Sequence, residues 1–159
     1  MSRLLMETNS SNNSHKVPEP EFQFRHTLPI QIRFNDMDML GHVNNTTYLK
    51  FFDLAKCRYF EDLLPGSLDW KEINVVVANI NCDFYAPTFF NESVAVCTTV
   101  TGVGDKSFRM EQRLYDTETG QVKCICRTVM VGYDLEKGCS MAITQEWRDA
   151  IERYEGRPV

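Results

Sequence analysis

Long hydrophobic runs are missing from this 159-residue chain. No window approaches the roughly 18 apolar residues of a membrane-spanning helix, and the one apolar run near the start, Leu4 to Met6, is too short for a secretory signal. The expectation is a soluble, cytoplasmic protein with no membrane partner. An excess of basic charge is missing as well. Seventeen Lys and Arg stand against 22 Asp and Glu, for a formal net charge of -5 and a pI near 5.2. Nucleic-acid binders advertise a basic face, so no nucleic-acid partner is expected. Paired Cys/His motifs are also lacking. Cys124 and Cys126 stand two apart with no second such pair nearby, which argues against a zinc site. No internal repeat and no second domain is visible.

What is present reads as one globular domain. Hydrophobic residues make up 43% and charged residues 25%, and the length suits a single core. The six cysteines are scattered through apolar-patterned segments, so they are expected to be reduced packing residues and not a disulfide framework. Residues 1–20, rich in Ser, Asn, Pro and Glu, show no sustained period. They are expected to be a mobile tail, His15 included, ahead of a domain over 21–159.

Periodicity supplies the element order. Residues 22–33 are strand-like, with Ile30 and Ile32 facing one way and Gln31 and Arg33 the other. Tyr48, Phe51, Phe52, Ala55, Tyr59 and Leu63 recur at helical spacing, while Lys50, Asp53, Lys56 and Glu61 fall on other faces. The helix is expected to start at Asn44-Asn45, whose side chains can accept from first-turn amides, and to stop before Pro65-Gly66. Residues 73–134 read as four β-strands separated by "APTFFNES", "GVGDKS" and "DTETGQ", followed by a short amphipathic helix over 144–154. One long helix followed by a meander implies an α+β fold in which a curved antiparallel sheet wraps the helix, there being no second helix long enough to cover it.

The stretch "NDMDMLGHVNN", Asn35 to Asn45, packs two aspartates, a Gly-His step and two asparagines between the first strand and the helix. As a calcium loop it fails: Asp36, Asp38 and Gly41 fit an EF frame, but Leu40 and Thr47 occupy ligand positions and a strand precedes it. As a plain turn and cap it would need nothing more than Asx turns at Asp36 and Asp38. As a catalytic loop it would set a carboxylate beside a helix N-terminus, whose amides and positive dipole end suit an oxygen gaining negative charge.

The run "RFNDMDMLGHVNNTTYLKFFDLA" resembles the signature of hotdog-fold acyl-CoA thioesterases, a group that includes 4-hydroxybenzoyl-CoA thioesterase. The resemblance is sharp over 33–55 and extends as a pattern over about 25–135. It implies a hotdog fold, hydrolysis of an acyl-CoA, and Asp38 as the catalytic carboxylate; no cofactor is expected, and with no metal-ligand cluster in the sequence no metal is expected either. It further implies that the backbone N–H of Asn45 polarises the thioester carbonyl. Plant acyl-carrier-protein thioesterases place a histidine four residues after their aspartate, where His42 stands, and an asparagine between the two, where this chain has Leu40. His42 is thus a donor to the thioester or to the attacking water, or a structural histidine.

Gly41, Asn44 and Tyr48 are expected to contact substrate, with Asp36 orienting the loop. Asn79, Asn81 and Asp83 alternate on one strand face that is ordinarily solvated. The resemblance implies a homodimer or dimer of dimers with sites between subunits, which would make Asn79 and Asn81 pocket residues for the partner. Lys106, Arg109, Lys123 and Arg127 are candidates for the phosphates of CoA. Acyl carrier protein as the thioester donor, and an acyl-thioester-binding module without turnover, are the alternatives.

Overall fold

The computed structural model describes residues 16–70 and 73–159. His15 and most of the expected N-terminal tail lie outside the described residues. The elements are β1 (His26–Ile30), α1 (Asn45–Leu63), β2 (Val75–Phe84), β3 (Val94–Val103), β4 (Ser107–Asp116), β5 (Val122–Asp134), β6 (Cys139–Ser140) and α2 (Gln145–Glu155), with a single 3-10 turn at Phe34–Asp36.

The five main strands form one antiparallel sheet in the order β1-β3-β4-β5-β2, with the two-residue β6 attached to β5. A meander running β2 to β5 is therefore incorrect. β3, β4 and β5 do follow one another, but β2 pairs with β5 at the far edge, Cys82 opposite Cys126 and Phe84 opposite Cys124. The first strand is also shorter than the 22–33 run: Arg33 to Met37 turn away to begin the loop. The arrangement is the hotdog fold, with the sheet curved around α1.

Along α1 the helical spacing of the apolar residues holds, because each half of the helix faces its own part of the sheet. Tyr48, Phe51, Phe52 and Ala55 pack on Val94, Val96, Leu114, Cys124 and Cys126. Tyr59, Phe60 and Leu63 pack on Val100, Phe108, Met110 and Met130. Large side chains buried this fully contribute about 1.5–3 kcal/mol each relative to exposure. Between the halves, Gln112 of β4 donates through Nε2 to the carbonyl of Phe52 at 2.9 Å and to Thr98 Oγ1 at 3.1 Å, pinning helix to sheet. Lys56 departs from the wet face expected for it, its stem lying buried while Nζ reaches Asp53 at 2.8 Å.

The second helix does cover part of the first, contrary to expectation. Trp147, Ala150 and Ile151 join the core around Phe60, with the Trp147 ring edge-on to Phe60 at 5.1 Å. Thr144 caps α2 by accepting from the Trp147 amide. Residues 16–20 lie along the outer face of the sheet, where the Pro18 carbonyl accepts from Arg113 Nη1 at 2.8 Å. All six cysteines are free; Cys97, Cys124 and Cys126 are buried, whereas Cys139 is exposed.

Candidate active site

The loop from Arg33 to Asn44 closes on itself before the helix begins. Asp36 Oδ2 accepts from the Arg33 amide at 2.7 Å, and the Asp36 carbonyl accepts from the Asn44 amide at 2.8 Å, so this aspartate ties both ends together. Met37 and Val43 form an isolated antiparallel bridge across the loop. Inside it, the Asp38 amide donates to the His42 carbonyl at 2.9 Å and the Gly41 amide to the Asp38 carbonyl at 3.1 Å. Gly41 makes the reversal at φ +78, the left-handed region that a side chain disfavours.

Asp38 is held by one oxygen. Its Oδ1 accepts from the Leu40 amide at 2.8 Å and, more loosely, from the His42 amide at 3.4 Å. Its Oδ2 meets no donor among the described residues, which leaves one carboxylate oxygen for chemistry.

At the start of α1 the capping is divided. Asn44 is the cap: its Oδ1 accepts from the Thr46 amide at 2.9 Å and from Thr46 Oγ1 at 2.7 Å, and its carbonyl accepts from the Thr47 amide. Asn45 is the first helical residue and not a second cap. Thr46 and Thr47 are thus satisfied locally, and the Asn45 N–H has no acceptor among the described residues. A donor at the positive end of a 19-residue helix is left open.

Asp38, His42, Asn45 and Tyr48 line one open cleft of about 370 Å³, closed on the other side by Phe84, Tyr85, Ala86 and Pro87. Tyr48 forms its floor. Its ring stands edge-on to Phe84 at 5.1 Å and its hydroxyl donates to Thr88 Oγ1 at 2.7 Å. Burial is the main cause pushing the Tyr48 phenol above its ordinary range, so at neutral pH it is a donor held by Thr88. The exposed side chain of Leu40 gives the mouth an apolar edge.

Of the residues expected at the site, Asp38, His42, Asn45 and Tyr48 are brought together, while Gly41 and Asn44 act through backbone and cap. Asn79 and Asn81 are not brought to this cleft within one chain. They lie on the outer face of β2, opposite Val129 and Arg127, and Asn79 lines a separate groove with Arg109. Lys123 is not free to hold a phosphate of CoA. It is 2% exposed, with Nζ on Glu92 Oε1 at 2.6 Å and on the Pro87 carbonyl. Arg127 is engaged by Asp83 and Glu111 at 3.0 and 3.3 Å, which leaves Lys106 and Arg109.

Thr88 was not legible as a site residue, since "APTFFNES" reads as a turn. It is fully buried, and its carbonyl accepts from the Val43 amide at 2.8 Å. The available signal was the Phe89-Phe90 pair inside a turn, apolar where a plain turn is polar.

Comparison with known proteins identifies the family. The model of the thioesterase-like superfamily matches residues 32–151. The long-chain acyl-CoA thioesterase FadM of Escherichia coli (strain K12) is 27% identical over 127 residues, 78% of this chain and 95% of its own. A thioesterase of Thermus thermophilus, solved in complex with coenzyme A and Zn, superposes with TM-score 0.76 at 32% identity, covering 86% of this chain and 98% of that one. A 4-hydroxybenzoyl-CoA thioesterase variant complexed with 4-hydroxybenzoyl-CoA shares the fold at TM-score 0.70 and 18% identity, over 79% and 96% of the two chains. With three-quarters of its length matched and the signature loop closed around an open helix amide, the chain belongs to the thioesterase-like superfamily.

Proposed function

We propose that this protein hydrolyses the thioester of an acyl-CoA to a free acid and CoA. The observation that carries the reading is the meeting, in one cleft, of a carboxylate with an unengaged oxygen, Asp38 Oδ2, and an unengaged helix-terminal donor, the Asn45 N–H. A thioester carbonyl oxygen accepts from Asn45, where the helix dipole stabilises the negative charge that develops during attack. The carbonyl carbon then faces Asp38. Either Oδ2 bonds to it, releasing the CoA thiolate and leaving an acyl-aspartyl anhydride that water cleaves, or Oδ2 takes a proton from water as that water attacks. Both routes consume one water and give the acid and CoA. His42, at the cleft wall, donates to the thioester or the water.

The thioester is read as CoA-borne because the relative FadM is named for acyl-CoA and the Thermus protein was solved with coenzyme A. The carrier-protein thioester and the binding module without turnover are the alternative readings. Tyr48, with Gly41 and Asn44 shaping the loop, contacts the substrate. The unit is a homodimer or a dimer of dimers. Edge strand β2 leaves Val77, Ile80 and Phe84 each more than two-fifths exposed, and an open apolar edge is a template for pairing with a second copy. Only such pairing would bring Asn79 and Asn81 near a cleft. A cytoplasmic location belongs to the same reading.

The test is release of free CoA from a panel of saturated and aromatic acyl-CoAs, run with wild type and Asp38→Asn. Turnover of at least one substrate is expected, falling by about 10²–10⁴-fold in the variant while substrate affinity stays within a few-fold. Undiminished kcat in Asp38→Asn would remove the assignment, and binding without release would favour the module.

A further inference from the structure

The loop between β2 and β3, residues 85–93, supplies the cleft wall that the signature motif does not, and it is fastened from several directions. The amides of Tyr85 and Ala86 donate to the Lys123 carbonyl at 2.9 and 3.3 Å. The Lys123 ammonium, buried, reaches back to the Pro87 carbonyl at 3.1 Å and to Glu92 Oε1 at 2.6 Å. The other oxygen of Glu92 accepts from the Phe89 amide at 2.9 Å. Thr88 is bonded to Val43 and Tyr48. The two ends of the loop are therefore set by Lys123 and Glu92, outside the catalytic motif, and its middle by Val43 and Tyr48.

The fastening fixes where Phe89 stands. Its ring lies edge-to-face with the imidazole of His42, centroids 5.3 Å apart at an interplanar angle of 80°. Neither nitrogen of His42 makes a hydrogen bond among the described residues, so the usual device that orients a working histidine, a hydrogen bond on its second nitrogen, is not supplied by them. Burial does not account for the position of the ring either, since Phe89 remains 45% exposed. Phe90 is exposed to a similar degree at 49% and has no ring partner among the described residues.

We propose that Phe89 is a positioning residue, whose ring, held by the Lys123–Glu92 ion pair, fixes the imidazole of His42 at the cleft. The proposal rests on the reading of Asp38 and His42 as the reacting site. An aromatic pair of this kind corresponds to roughly a 3- to 10-fold effect on a rate that depends on it.

The experiment is a double-mutant cycle on hydrolysis of the acyl-CoA that wild type turns over best. The variants are Phe89→Leu, Phe89→Tyr, Phe90→Leu, His42→Asn, Asp38→Asn and the double variant His42→Asn/Phe89→Leu. Phe89→Leu is expected to lower kcat about 3- to 10-fold with KM changed less than about twofold, and Phe89→Tyr to restore it. Phe90→Leu should match wild type, and Phe89→Leu should cost nothing further once His42 is gone. In proton NMR the His42 ring signals should lose their ring-current displacement in Phe89→Leu, a readout independent of turnover. Equal losses in both backgrounds, an effect confined to KM, an equal loss in Phe90→Leu, an undisplaced His42 signal or a fully active His42→Asn would each overturn the proposal. If Asp38→Asn is inactive while the cycle is additive, only the role of Phe89 falls. If Asp38→Asn is fully active, the site reading falls and this one with it.

Discussion

The hydroxyl of Tyr59 near the C-terminal end of the core helix donates to Glu155 Oε1 at the end of the last helix, 2.5 Å away across 96 residues of sequence. The same carboxylate accepts from the Val100 amide at 3.1 Å and from Thr99 Oγ1 at 3.0 Å. β1 begins opposite Thr98, so Val100 lies just beyond its ladder partner, and Glu155 takes the place a strand residue would have filled. One buried acid thereby joins α2, α1 and β3.

Replacing Glu155 with alanine leaves the Tyr59 hydroxyl and the Val100 amide buried without an acceptor. Each such group costs about 1–3 kcal/mol, and relaxation recovers part, so a loss of about 2–3 kcal/mol is expected. Urea denaturation followed by tryptophan fluorescence measures it, Trp147 lying in the adjoining core. A change below about 0.5 kcal/mol would mean that the three bonds contribute nothing net.

Gly41 allows conformational cost to be separated from crowding. A Cβ built there meets nothing within 4 Å, yet φ is +78. Gly41→Ala is therefore expected to cost about 1–2 kcal/mol through backbone alone, and Gly41→Asn, which tolerates the left-handed region, less. Equal stability of the alanine variant and wild type in thermal denaturation would contradict this.

His26 gives the fold a sensitivity to acid. Its Nδ1 is buried without a hydrogen-bond partner among the described residues, and desolvation holds its pKa below the ordinary value, opposed by the nearby acids Asp62 and Glu155. Below the unfolded pKa of about 6.5 the unfolded chain binds a proton that the folded chain refuses, so stability falls as pH falls from that value toward the depressed folded one. His26→Gln should flatten that part of the curve. Parallel stability profiles for the two proteins between pH 7 and pH 5 would show that His26 does not contribute.

Edge strand β2 provides the test of assembly. Ile80→Lys puts a charge on the exposed apolar edge, a substitution that natural edges use to prevent pairing. Light scattering is expected to give a dimer or larger for wild type and a monomer for the variant. A wild-type monomer that hydrolyses acyl-CoA at assay concentration would refute the dimeric site.

Much of this architecture was legible from local signals. The apolar spacing from Tyr48 to Leu63 is a short-range pattern and marks the buried face of α1, and Asn44 is recognisable as a cap because its bond to Thr46 spans two residues. The position of β2 was not legible, because alternation tells which residues share a face and nothing about which strand lies alongside. Lys123 misled for a related reason. Period two sends it to the sheet's outer face, and only the fold brings Glu92 and the loop at Pro87 over it. Thr88 bears no mark of its own; its role comes from Val43 and Tyr48, more than forty residues away in the first case and forty in the second.

The strand order has a kinetic meaning. β1, which leads into the Asp38 loop, is at one edge of the sheet, and β2, which leads into the Thr88 loop, is at the other. The bonds from Val43 and Tyr48 to Thr88 are made only when both edges are in place around α1. Long-range closures of this kind come late, since the entropy of the intervening chain must be lost before the contact is gained. The pocket is thus a product of the finished sheet, and a partly folded chain that already holds the helix and the central hairpins presents no working cleft to a thioester.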